Sequence, residues 1–399
     1  TRRFRTHRMR IPVKVSFSGD ATMTAPIRRS IGFWQGIISP HMAGLAVALA
    51  RRGCEVNYVA QQEVSEDRRR QGWGVPELPG VALRIADSVE AVRSLAQSMP
   101  QDSIQICGGL RGNGLIGVAQ DVFARRGVPH WVIMETVEDA GWRGILRRLE
   151  YARLFRRWRS HLSGVLAIGE RTPTWVVARG MPAERVFPFA YFLPTIAASE
   201  WNEVPEAGPY RFLFVGQLIE RKRPDLLIRS LSLIRSTGVR LVVVGSGTME
   251  VELRAMAERE MPGRVEWLGT LSMSAVSAEL SRADCLVLPS RFDGWGAVVS
   301  ESLMVGVPAI CSDACGASVA VRASGYGGVF GRDDHAGLTS LLNEAVQRGR
   351  PPVPARQALA RWAACLGSDA GADYLLKILA SIELREVRPA PPWGVGSLP

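Results

Sequence analysis

The chain has 399 residues, 47% of them hydrophobic, with a formal net charge of +11. That length supports two ordinary domains, and that apolar content excludes a disordered chain. The lysines are only Lys14, Lys222 and Lys377, so arginine carries the positive charge. The bias reflects either genome composition or selection for an anionic partner: nucleic acid, anionic lipid headgroups or a phosphorylated small molecule.

Cys54, Cys107, Cys285, Cys311, Cys315 and Cys365 form no CxxC pair and no zinc-ligand spacing. Several stand in apolar runs and read as buried thiols, as expected in a reducing cytosol. No run approaches the ~18–20 apolar residues of a membrane span, and no signal-peptide core follows the basic "TRRFRTHRMR". The expected location is the cytoplasm, with peripheral contact at the cytoplasmic membrane face. Met23 is as good a natural start as any residue before it.

In chain order, residues 1–29 form a basic extension expected to be poorly ordered. "SIGFWQGII", from Ser30 to Ile38, reads as a buried strand. Ser39 and Pro40 follow as N-cap and first helical position, and Gly53 closes the helix "HMAGLAVALARR". "EVNYVA", "VALRIA", "SIQICGG", "HWVIMET" and "SGVLAIG" repeat the strand, each leading into a helix-like segment. Residues 194–209, rich in Pro, Ala and Glu, read as a linker, with the domain boundaries at 30–195 and 210–355 and the linker proper at 196–209. A second series follows: "YRFLFVG", "VRLVVVG", "VEWLG", "CLVLPS" and "PAICSD". Residues 356–385 read as helices returning to the first domain, and 386–399 as a Pro-rich tail. Alternating strands and helices predict an α/β chain of two Rossmann-like parallel-sheet domains facing a central cleft.

Ligands of such sheets bind beyond the carboxyl ends of the strands. There the second series carries Gly216 and Gln217, then Lys222 and Arg223 at the next helix entrance; Gly245, Ser246 and Gly247; and "RFDGWGAVVSESLM". Glycines at these turns let backbone amides and a helix N-terminus approach an anion, although a tight turn accounts for each taken alone. Asp293 falls on a loop and Glu301 eight positions on, about one turn inside the helix starting near Ala297. Two carboxylates flanking a helix start suit a phosphate and vicinal hydroxyls held in a row. The plainer alternative makes Asp293 a helix cap and Glu301 a solvated residue.

Together, "GQLIERKR", "GSGTMEVELRAM", "VEWLGTLS", the pair Asp293 and Glu301, and "SLMVGVPAICSD" resemble the retaining, nucleotide-sugar-dependent glycosyltransferases of family 4, which have the GT-B fold. The resemblance covers about residues 210–330 and extends more loosely to "GFWQGIISPHMAGLAVALARRGCEV". It implies that Lys222 neutralises a donor diphosphate, that Glu301 takes the ribose hydroxyls and that Asp293 lies near the donor sugar. Gly294, Trp295, Gly296, Ala297 and Val298 would present backbone amides to sugar and phosphate. Gln217 stands where the family has an arginine, with Arg221 or Arg223 as the available substitute, and Asp293 where glutamate is commoner. The expected partners are a nucleoside-diphosphate sugar and a carbohydrate or lipid-linked acceptor, with no cofactor and no metal.

In the first domain, His41 on the first helical turn and Glu135 at the end of "HWVIMET" are the cleft-facing candidates, joined by the glycine-rich "CGGLRGNG". Arg143–Leu162 is the densest basic stretch, with Tyr151, Phe155, Trp158 and Leu162 at helical spacing. That stripe either packs on the sheet or docks on an anionic membrane. Three other functions compete. "GSGTME" lacks the last glycine of a dinucleotide oxidoreductase fingerprint, and no aromatic platform supports nucleic-acid binding. A catalytically silent nucleotide-sugar-binding homologue stays open because of Gln217.

Overall fold

The structure is a computed structural model that describes residues 29–111, 114–194, 208–234, 236 and 238–394. The basic extension before Arg29, linker residues 195–207 and the last five residues of the tail lie outside the described residues.

The first lobe places β1 (Ser30–Ile37), β2 (Glu55–Gln62), β3 (Val81–Ile85), β4 (Ile104–Gly108), β5 (His130–Glu135), β6 (Leu162–Ile168) and β7 (Val186–Phe189) in the order β3-β2-β1-β4-β5-β6-β7. All pairings are parallel, with Ile31 opposite both Val56 and Ile104. The connecting helices are α1 (Pro40–Arg51), α2 (Glu66–Arg70), α3 (Val89–Ser98), α4 (Ile116–Arg126), α5 (Gly141–Trp158) and α6 (Thr172–Val177).

The second lobe repeats the plan. Its strands are β8 (Tyr210–Val215), β9 (Val239–Val244), β10 (Val265–Gly269), β11 (Cys285–Leu288), β12 (Ala309–Ser312) and β13 (Gly327–Phe330), again parallel, in the order β10-β9-β8-β11-β12-β13. Its helices are α7 (Pro224–Ser232), α8 (Glu250–Glu260), α9 (Met273–Arg282), α10 (Ala297–Met304), α11 (Ser318–Ser324), α12 (His335–Arg348), α13 (Val353–Ala363) and α14 (Ser368–Glu383). Both faces of each sheet are covered, so the central strands read as nearly continuous apolar runs.

β7 and β13 escaped the sequence reading. Both are four-residue edge strands, one holding Pro188 and the other opening on Gly327 and Gly328. Proline and glycine are tolerated at an edge and hide the strand signal.

The domain boundaries need one correction. Residues 356–385 do not return to the first lobe as a block. α13 stays with the second lobe, where the buried Arg356 guanidinium donates to the carbonyls of Ser281 (2.8 Å) and Ala283 (3.2 Å). It is α14 that crosses back to α1. Arg52 bonds Asp369 (2.8 Å) and Asp373, and Tyr374 donates to Pro188 O (3.1 Å). The Pro-rich tail is anchored too: Trp393 is buried, its ring centred 6.1 Å from Phe192 and 6.0 Å from Trp295. One apolar core accordingly runs through both lobes, from Ile31 and Phe33 to Leu213 and Leu286.

Candidate functional site between the lobes

The strand order reverses between β8 and β11 in the second sheet. The loops after these two strands therefore border the crevice where open α/β sheets bind ligands. They are sewn together. Arg291 N–H donates to Arg221 O (2.8 Å), and the Arg221 guanidinium donates to Phe292 O (2.7 Å). The loop after β9 is nested against them, with Leu218 N–H on Ser246 O (2.9 Å). Gly245 has φ +130° and a Cβ there would collide with Gly216 O; a Cβ on Gly247 would collide with Leu218 O. These glycines are thus required by loop-on-loop packing as well as by any approach to an anion.

From this base Lys222, in a 3-10 turn before α7, forms an ion pair with Asp293. Both side chains are mostly covered. Arg223 is not available in the same way. Its guanidinium is held by Asp225 (3.0 Å) and Asp333, and its backbone is left-handed at φ 54°. Arg221 is engaged on a carbonyl, so neither arginine simply replaces the one missing at Gln217. Ser246 Oγ lies 3.0 Å from Thr270 Oγ1.

α10 begins at Ala297 with Gly296 as N-cap in left-handed geometry, φ 87°. A Cβ on Gly296 would stand 2.8 Å from both Cys315 Sγ and Leu288 Cδ2, so glycine is needed on two counts. Asp293 does not cap this helix. Its carboxylate goes to Lys222, while its backbone bridges to the 314–316 loop through Asp293 N–H on Ala314 O (3.1 Å) and Gly316 N–H on Asp293 O (3.0 Å). Trp295 is fully buried: its indole donates to Ser300 Oγ (3.0 Å) and its carbonyl accepts from Ala317 N–H (2.8 Å), so it holds the loop from inside and does not open on its surface. Val299 N–H finds Gly296 O (2.9 Å). The amides before it, through Ala297 and Val298, are those a helix start leaves pointing outward.

Glu301 is half-buried, not a freely solvated helical residue. Burial pushes its carboxyl up to about 7. It lines a cleft of about 1160 Å³ that also touches His41 and Trp73 of the first lobe and Ser272 and Met304 of the second. Asp293 opens instead on a recess of about 210 Å³ with Thr136, Asp139 and Arg171. The two carboxylates thus stand on different cavities, at either end of the α10 entrance.

Across the seam, Glu135 ends β5 and meets Gly294 so closely that a Cβ on that glycine would overlap its carboxyl. Burial, and then the like charge of Asp293, raise its carboxyl to about 6. The Tyr191 phenol donates to it and is itself pushed well above its usual range by burial and then by Glu135. Tyr191 stacks on His41, centroids 5.1 Å apart, and His41 meets Trp73 edge-on at 4.9 Å. Burial holds His41 down to about 4, with the nearby Arg68 charge acting in the same direction. Arg68 lies 4.4 Å over the Trp73 ring.

Lys222, Asp293, Glu135, Gly294 and His41 therefore gather at one seam, with Glu301 on the adjoining face of α10. The sequence reading missed Tyr191, Arg68 and Trp73. Arg68 and Trp73 follow β2 on the crevice side, which the strand-end rule could have flagged. Tyr191 follows the overlooked β7 and carried no such signal. Among the described residues no group of three or more His, Cys, Asp or Glu side chains could hold a metal ion.

Residues 197–361 match the family described as glycosyl transferases group 1. The glycogen synthase of Mycobacterium tuberculosis (strain ATCC 25618 / H37Rv) is 32% identical over 162 residues, 39% of either chain. The D-inositol 3-phosphate glycosyltransferase of Pseudarthrobacter chlorophenolicus is 29% identical over 123 residues, 29% of either chain. The matches span well under half the length of these curated relatives. Among solved structures, Anabaena HepE in complex with UDP superposes with a TM-score of 0.68 at 14% identity, over 88% of this chain and 100% of that one. WaaG, a glycosyltransferase involved in lipopolysaccharide biosynthesis, gives 0.56 at 17% identity, over 89% and 98%. The two lobes form a GT-B frame, and its second half carries a glycosyl transferases group 1 domain.

Proposed function

We propose that the protein is a retaining glycosyltransferase of family 4 that moves a sugar from a nucleoside diphosphate to an acceptor hydroxyl, in polysaccharide or glycolipid assembly. The observation that carries this reading is the convergence of Lys222, Asp293 and the α10 entrance on the loops of the β8/β11 switch point, with Glu301 about one turn further into α10. Lys222 and the outward amides of α10 would stabilise the departing diphosphate, where charge builds up as the bond to the anomeric carbon breaks. Glu301 would accept hydrogen bonds from the ribose diol, and Asp293 would orient the transferred sugar. The acceptor oxygen would bond to the same face of that carbon, and its proton would pass to the departing diphosphate. This scheme needs no enzyme nucleophile and no metal. Glu135, its carboxyl raised to about 6 by burial and the charge of Asp293, would hold a sugar or acceptor hydroxyl at the seam.

The names of the relatives support sugar transfer, and a HepE structure with UDP and glucose supports a nucleoside-diphosphate donor. A thermal-shift panel of UDP-, GDP- and ADP-sugars on the purified protein selects the donor. Turnover with and without EDTA, followed by NMR of the anomeric proton, then tests metal independence and retention. Binding without turnover would leave a silent homologue. No binding by any nucleotide sugar would end the reading.

A further inference from the structure

α5 is apolar on two opposite faces. Tyr151, Phe155 and Trp158 are buried in a cluster with Val132 and Val165, so the stripe singled out in the sequence packs on the sheet. The surprise lies opposite. Trp142 is 67% exposed, Ile145 51%, Leu146 57% and Leu149 59%. These residues recur at i, i+3, i+4 and i+7 and so share one face. Continuing from Leu149, the same face reaches Arg153 and then Arg156, both exposed. The helix carries six arginines against a single acid, Glu150. Arg147 and Arg148 are tied to the 138–139 carbonyls, and the Arg143 guanidinium lies 5.2 Å from the Trp142 ring centre.

We propose that this face of α5 docks on a bilayer containing anionic lipid, with Trp142, Ile145, Leu146 and Leu149 entering the interface and Arg153 and Arg156 meeting the headgroups. A tryptophan beside a short aliphatic patch suits the lipid–water boundary, and arginines extending the patch suit negative headgroups. Charge selects the occupant. A second copy pairing through this face would set arginines against arginines, which disfavours it. Among the described residues no helix is long and apolar enough to cross a membrane, so contact here is at the surface. The loop entering α5, Thr136–Ala140, lines the Asp293 recess. On the transfer reading above, on which this clause alone rests, docking would bring the recess near a lipid-borne acceptor.

The test is co-sedimentation of the full chain with phosphatidylcholine vesicles, with and without phosphatidylglycerol. Variants are Trp142→Ser with Leu146→Ser, and Arg153→Glu with Arg156→Glu, each checked for unchanged thermal unfolding. We expect binding only with phosphatidylglycerol, weakened by salt, and reduced about tenfold or more in each double variant, since one basic residue near such a surface is worth about fivefold. Basic residues before Arg29 can also attract vesicles, so the variants decide. Absence of binding, or binding that both double variants retain, overturns the proposal. So does a dimer that the variants dissolve while vesicles have no effect. Turnover on a soluble acceptor without vesicle binding would sink the docking face and spare the transfer reading; vesicle binding without turnover would do the reverse.

Discussion

Lys222 and Asp293 neutralise each other across the mouth of the second sheet, one from the loop after β8 and the other from the loop after β11. The pair has a direct consequence for any phosphate ligand. A diphosphate arriving at the α10 entrance must draw the ammonium away from a carboxylate that already holds it. On the transfer reading, Asp293 would compete with the diphosphate for Lys222, and the two partners should respond in opposite ways to removal.

Lys222→Ala should weaken binding of the free nucleoside diphosphate about tenfold or more, because a charged hydrogen bond to phosphate is worth roughly 1.5–3 kcal/mol. Asp293→Asn should instead tighten it about fivefold, the value of a modest ion pair that no longer competes. Titration calorimetry with the nucleotide selected by thermal shift measures both. Equal weakening by the two substitutions would mean that Asp293 serves the diphosphate rather than opposing it.

Glu301→Gln should stabilise the protein at pH 8 and leave it unchanged near pH 4.5. Burial raises the folded-state carboxyl from 4.5 to about 7, so its favourable state is the protonated one. That contribution is complete below the unfolded value and is lost as pH rises through about 7. Glutamine carries no charge to bury and escapes the loss, a gain of about 1–2 kcal/mol at pH 8 once partial solvent access is allowed for. Thermal unfolding of both proteins at the two pH values reads the difference. His41, held down to about 4, works in the opposite direction but cancels in that comparison.

Lys222, Asp293 and Glu301 were legible in the sequence because each sits at a fixed offset from a recognisable strand or helix start. So was the pair of sheets, through its repeated apolar runs. What escaped was set by contacts between distant segments. Tyr191 matters only because β7 delivers it to Glu135 and His41, and β7 hides behind Pro188. The Arg223 side chain looked free until Asp333, 110 positions later, took it. The Pro-rich tail gave no hint that Trp393 closes the core against Trp295. The α5 helix misled differently: the stripe Tyr151, Phe155 and Trp158 is the face that packs, while Trp142, Ile145, Leu146 and Leu149, at the same helical spacing, stand exposed on the opposite face.

Gly294→Ala should cost activity without unfolding the chain. The new methyl group would overlap the Glu135 carboxyl and stand 2.8 Å from its Cβ, so a rotamer change alone cannot clear it. The lobes must part slightly, or Glu135 must leave the seam. A shift of about 1 Å at a reacting centre can cost about a hundredfold. Steady-state kinetics alongside circular dichroism checks this. Full activity would show that closure of the seam is not needed for turnover.

The two carboxylates flanking the α10 entrance should fail in different ways. Glu301 opens on the large cleft, on the adjoining face of α10, and is assigned to the ribose, a part of the donor that does not react. Ground state and transition state would lose that contact alike, so Glu301→Ala should mainly raise the donor KM. Asp293 opens on the smaller recess beside Glu135 and Gly294, and is assigned to the transferred sugar. Orientation there matters most as the anomeric bond breaks, so Asp293→Ala should lower kcat more than it raises KM. Release of Lys222 sharpens the contrast. The same substitution frees an ammonium for the diphosphate, which should hold the donor KM down while kcat falls. Asp293→Glu keeps the charge and adds one methylene, and it should retain much of the activity if the 291–296 loop can adjust. Initial rates for the three variants with one donor decide the matter. A raised KM with intact kcat in Asp293→Ala would move Asp293 from the sugar to the diphosphate side of the site.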